Sequence, residues 1–180
     1  MGTFKRGWKA PFSVYNNSYF TNDSFSYCDD IYPYLIHHQR IFFISWSIFY
    51  YSTFPKPKEG KEYTQSNEGS QVFFHKLGTD QSEDRLIYSD LKNPKISNYA
   101  STTSDGKYLL IYRSKGTYGN SLLVSDLTKK NGKFINIIND FESEVSVIEE
   151  INGSLLVITN RGAPNKKIVL IDPKNPKENN

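Results

Sequence analysis

Residues 104–126 read SDGKYLLIYRSKGTYGNSLLVSD, and residues 151–172 read INGSLLVITNRGAPNKKIVLID. Each stretch opens on an Asp-Gly or Asn-Gly turn and runs into an apolar strand. Each then turns through a basic-Gly segment containing Asn, returns as a second apolar strand and closes on Asp. Gly106 and Gly153 stand 47 residues apart, and Asp126 and Asp172 stand 46 apart, so the two stretches are copies of one unit. A period of about 40–50 residues built from several short strands is the pattern of propeller blades. An ordinary β-sandwich with two similar hairpins would show the same local pattern, so both architectures stand at this point.

The pattern continues on either side. Further β-type runs are FYYSTF (49–54), VFFHKL (72–77), RLIYSD (85–90), FINII (134–138) and VSVIEE (145–150). The segments between them carry most of the Gly and Pro, and Asp-Gly or Asn-Gly sits at tight hairpin positions. The IFYYSTF and VFFHKL runs form a third copy, with a lengthened polar connection, PKPKEGKEYTQSNEGSQ. No stretch of ten or more residues carries a helical stripe. The expectation is an all-β chain: a partial β-propeller of about three four-stranded antiparallel blades at roughly 44–90, 91–138 and 139–176. Residues 1–43 are rich in Tyr, Phe, Ser and Asn without a period of 2 or 3.6, so no fold is assigned to them. The closing DPKNPKENN reads as a polar connector between blades. Three blades do not close a ring, because each packs on both neighbours. An apolar face is therefore expected at each end of the stack, and the chain alone is expected to associate.

Composition narrows the function. With 180 residues, 37% hydrophobic and 15% aromatic, the chain is long and apolar enough to bury a core. A formal net charge of +3 lacks the Lys/Arg clustering of a general nucleic-acid binder. The single cysteine, Cys28, excludes an internal disulfide and a cysteine-based zinc site. The amino terminus has no apolar run of the secretory type. Residues 41–54, IFFISWSIFYYSTF, are the most apolar stretch, yet as a helix they would reach only about 21 Å of the roughly 30 Å of hydrocarbon. No membrane or nucleic-acid partner is expected. The chain reads as soluble, cytoplasmic or periplasmic, with nothing to choose between those compartments.

Catalytic motifs are missing. No G-x-S-x-G elbow occurs; Gly69-Ser70 and Gly153-Ser154 have the wrong neighbours. His37 and His38 are adjacent, so on a strand they would point to opposite faces. His75, flanked by aromatics, reads as a hydrogen-bonded structural histidine. Asp29-Asp30 with His37-His38 has no metal-ligand spacing. Asp80, Glu83 and Asp84 lack the spacing and central Gly of a calcium loop; they read as a solvated hairpin connection with an Asx-type turn. KGTYGN (115–120) has glycines but no following helix to hold a phosphate. No catalytic, metal or cofactor-binding residue is assigned, no cofactor is expected, and substrate-binding residues stay unassigned.

The run VFFHKLGTDQSEDRLIYSD (72–90) is more specific than a generic strand pair. It resembles the N-terminal propeller of the prolyl oligopeptidase family of serine peptidases, where an aromatic-His strand leads into LGT-x-QSED. The likeness continues through TSDGKYLLIYRSKGTYGNSLLVSDL (103–127), the I-x-DF-E-x-E connection and the TNR-x-APN hairpin, and covers about residues 44–180. Residues 1–43 depart from the family's opening segment, and SIFYY stands where an Asp-Gly turn is usual; the expectation is an altered or misread start. The resemblance implies a propeller capping an α/β-hydrolase peptidase domain in the same polypeptide. It implies cleavage of short peptides after proline, with the propeller restricting access. The Ser, His and Asp of that chemistry belong to the other domain, and none maps here. A free-standing β-repeat protein-binding module is the alternative.

Overall fold

The computed structural model describes residues 40–45, 48–57, 59–60, 64 and 66–179. Twelve strands form three four-stranded antiparallel sheets, each in simple sequential order. The first holds β1 (Arg40–Ser45), β2 (Ile48–Thr53), β3 (Gln71–Lys76) and β4 (Arg85–Ser89). The second holds β5 (Ser97–Thr102), β6 (Tyr108–Ser114), β7 (Ser121–Asp126) and β8 (Ile135–Ile138). The third holds β9 (Val145–Ile151), β10 (Ser154–Thr159), β11 (Lys167–Asp172) and β12 (Asn175–Asn179). These are three propeller blades, stacked face to face. Among the described residues there is no α-helix and no closed barrel, and three separate sheets are not a two-sheet sandwich.

The middle blade explains the continuous apolar runs. On β6, Leu109 and Ile111 join Tyr50 and Val72 of the first blade, while Tyr108 and Leu110 join Leu155, Val157, Val169 and Ile171 of the third. On β7, Leu123 faces the first blade and Leu122 and Val124 face the third. A strand buried on both faces has no polar side to alternate with, so YLLIY and SLLV lack a period-2 stripe.

Turn chemistry follows the repeat. Asn152 and Gly153, at φ 50° and 88°, supply the paired positive φ of a type I′ hairpin between β9 and β10. The two closing aspartates do the same job. Asp126 Oδ1 accepts from the Thr128 N–H at 3.0 Å, and Asp172 Oδ1 accepts from the Lys174 N–H at 2.9 Å. Each thereby starts the turn into a blade's fourth strand.

Three features differ from the sequence expectation. β5, SNYAST, carries no apolar run; it is held by pairing with β6 and by the Asn98 hydrogen bonds to Ser70 of the first blade. DPKNPKENN is not a connector: Asn175–Asn179 pairs with β11 through Leu170↔Asn179, Ile171↔Glu178 and Asp172↔Asn175 as the outermost strand of the third blade. An edge strand with one neighbour needs no apolar face. Finally, β1 opens at Arg40, reaching back into the 1–43 stretch, because its register on β2 runs from Arg40↔Ser52 to Ser45↔Ile48.

Candidate functional site

The third blade buries one face and exposes the other, although both are apolar. Val157↔Val169 and Leu155↔Ile171 are cross-strand pairs on the buried face, at 0–3% exposure. Ile158↔Ile168 and Leu156↔Leu170 are the pairs on the other face, where Ile168 is 59% exposed, Leu170 39% and neighbouring Ile148 50%. That row has the composition of the middle blade's seams, and among the described residues no sheet packs against it.

Successive blades are joined by latches as well as by apolar contact. The Asn98 N–H donates to Ser70 Oγ at 3.0 Å, and its side-chain amide donates to the Ser70 carbonyl at 2.8 Å. One seam along, the Asn120 amide donates to the Val145 carbonyl at 2.9 Å while its Oδ1 accepts the Val145 N–H at 3.0 Å. Ser70 and Asn120 each stand one residue before the third strand of a blade, and each holds the first strand of the next. The preceding glycines, Gly69 and Gly119, have φ of 75° and 72°. At Gly119 a Cβ would overlap the Phe141 carbonyl oxygen, so the turn there needs glycine.

His75 is buried at 2% exposure, with its ring 4.9 Å from that of Phe49. Its Nδ1 lies 2.6 Å from Asp84 Oδ1, and Asp84 Oδ2 accepts the Tyr51 hydroxyl at 2.6 Å. The 79–84 connection is therefore only partly the solvated hairpin expected. Asp80 does form an Asx turn to the Ser82 N–H at 2.8 Å and caps a short 3₁₀ turn over Gln81–Glu83. Asp84 instead turns inward, its side chain 3% exposed, because His75 and Tyr51 supply donors for both oxygens. Sequence spacing could not reveal this, since 33 residues separate Tyr51 from Asp84.

Among the described residues no three His, Cys, Asp or Glu side chains are grouped to hold a metal ion. Cys28, Asp29, Asp30, His37 and His38 lie outside the described residues. No helix among the described residues is long and apolar enough to cross a membrane.

Residues 44–180 match the N-terminal β-propeller domain of prolyl oligopeptidase. The chain belongs to that family. It is 40% identical over 137 residues to the prolyl endopeptidase of Elizabethkingia meningoseptica, a match covering 74% of this chain and 19% of that enzyme. It is 33% identical over 188 residues to prolyl oligopeptidase A of Amanita bisporigera, covering 96% of this chain and 24% of that protein. A match that long takes in part of residues 1–43. The fold is similar to that of prolyl oligopeptidase B from Galerina marginata bound to a 25mer macrocyclization substrate, with a TM-score of 0.69 and 29% identity over 77% of this chain and 20% of that one. Oligopeptidase B from Leishmania major shares the fold at a TM-score of 0.57 and 21% identity. The chain thus spans about a fifth of the length of most of the relatives it matches, and as a member of the prolyl oligopeptidase propeller family it contributes blades.

Proposed function

We propose that this chain is the N-terminal propeller portion of a serine endopeptidase that cleaves short peptides after proline, and that residues 44–180 supply the first blades of the access-restricting wall. In this reading the α/β-hydrolase domain, in the same polypeptide, carries the nucleophile, its base and the oxyanion donors. The three blades, β1–β4, β5–β8 and β9–β12, contribute shape and exclusion, and the chain alone turns over no substrate.

The observation that carries the reading is the apolar face of the third blade, where Ile148, Ile168 and Leu170 are exposed beside half-buried Leu156 and Ile158, repeating the apolar composition of the closed seams. A free-standing binding module would have a polar outer face on its terminal repeat. The family match over 44–180 supports the same conclusion.

Grafting tests it. Residues 44–180 replace the matching segment of the Elizabethkingia meningoseptica enzyme, and the chimera is assayed on a short proline-containing chromogenic peptide and on a large unfolded protein. Cleavage of the first and sparing of the second are expected. A well-folded chimera that degrades both contradicts an excluding role. Turnover by the isolated chain, abolished by a serine-directed inhibitor, contradicts the placement of the nucleophile outside these residues.

A further inference from the structure

The two closed seams differ in how far they are polar. The seam between the second and third blades is lined mainly by apolar side chains from Tyr108 to Ile171, with one buried hydroxyl lacking a protein partner, Ser143 Oγ, beside the Asn120 latch. The seam between the first and second blades is apolar over only part of its length. Toward the Ser70–Asn98 latch it becomes polar, and four buried side-chain atoms there have no hydrogen-bonding partner among the described residues: Ser52 Oγ, Asn98 Oδ1, Arg113 Nε and Ser121 Oγ.

Their placement is shared. Asn98↔Arg113 and Arg113↔Ser121 are direct cross-strand neighbours on β5, β6 and β7, so the three form one row. Side chains in such a row stand about 5 Å apart. The row continues the line of Ile111 and Leu123, which face the first blade. Ser52 lies opposite, next to Val72 on the face of β2 and β3 that meets them. Asn98 and Ser121 are each 1% exposed.

The chemistry of the four atoms selects the occupant. Arg113 Nε can only donate, Asn98 Oδ1 can only accept, and the two hydroxyls can do either. Asp90 pairs with the Arg113 guanidinium, so the four atoms face no unbalanced charge that would draw an ion. A small neutral species that both donates and accepts satisfies the set. We infer that the seam between the first and second blades is a binding site for internal water, held by Ser52, Asn98, Arg113 and Ser121 and bridging the two blades.

Water bound this way completes hydrogen bonds that would otherwise be lost to burial. The inference is independent of the proposed peptidase role. A crystal structure of the 180-residue chain is expected to show ordered water within hydrogen-bond reach of at least two of the four atoms. A dry seam, or the four atoms paired with one another, overturns the inference. Ser121→Ala provides a second reading, because the hydroxyl makes no bond to protein. Losing a water partner is expected to lower the folded-to-unfolded ratio by about three- to tenfold in urea unfolding. Removal of a simply unsatisfied hydroxyl would leave that ratio unchanged or raise it, and that result also overturns the inference.

Discussion

Asn98 on β5 and Ser70 before β3 hold one another through backbone and side chain together, with Asn98 N–H to Ser70 Oγ at 3.0 Å and Asn98 Nδ2 to the Ser70 carbonyl at 2.8 Å. Both residues are at least 97% buried. A strand as polar as SNYAST is kept in the stack by such bonds.

Asn98→Ala removes the bond to the Ser70 carbonyl and is expected to destabilise the chain by about 1–3 kcal/mol, read from the shift of the urea midpoint. Ser70→Ala removes the other arm. Because the two residues contact each other, the double variant should lose less than the two single losses combined. Strict additivity would show that the latch is not a unit.

Asn120→Asp keeps the acceptor for the Val145 N–H but replaces the donor to the Val145 carbonyl with a second acceptor. Two oxygens then face each other in a half-buried site. The variant is expected to be less stable than Asn120→Ala at neutral pH and to recover as the new carboxyl is protonated in acid. A pH series of unfolding midpoints checks the crossing.

Gly119→Ala and Gly106→Ala separate space from backbone strain. Both glycines have φ near 70°, but a Cβ at Gly106 meets nothing within 4 Å whereas at Gly119 it overlaps the Phe141 carbonyl. Gly106→Ala should cost about 1–2 kcal/mol for the left-handed backbone alone. Gly119→Ala should cost clearly more, measured by thermal unfolding of the two variants side by side.

Ile168→Lys changes a residue that is 59% exposed on the uncovered face. It is expected to reduce self-association of the isolated chain in sedimentation velocity and to leave its unfolding midpoint nearly unchanged. Val169→Lys, one residue on and 3% exposed, should abolish folding instead. Equal association of wild type and Ile168→Lys would show that this face does not drive it.

Bonds from the Thr128 side chain hold the Asp126 carboxyl below its ordinary value of 3.8, burial opposes them, and the Thr128 N–H and Lys129 add to the lowering. A carboxylate depressed in the folded state adds stability that is complete above the ordinary value. That stability is lost as pH falls through the lower folded value. Asp126→Asn should therefore flatten the acid limb of the stability curve below about pH 4, with little change in its slope above pH 5.

Several features were legible from residues alone. The 104–126 and 151–172 copies named the strand pairs, the Asn152-Gly153 hairpin and the closing aspartates, because turn geometry and apolar runs are local properties. β5 and β12 were not legible as strands, since SNYAST and NPKEN carry no apolar period. Their strand character comes from neighbours: β5 from Ser70 and β6, β12 from the pairing with β11. The Asp84 contacts with His75 and Tyr51 were hidden for the same reason. Acidic residues in GTDQSED look alike in sequence, and only chain folding turns one of them inward.

By itself the sequence determined the all-β class, the repeat, the turns and the family, because each is written in short-range pattern. Tertiary structure decided which apolar residues are covered and which are left bare. Val169 and Ile168 are equally hydrophobic neighbours, and alternation along one strand sends the first into a seam and the second to open solvent. Burial depends on what packs against a face, and a one-dimensional string of residues does not contain that information.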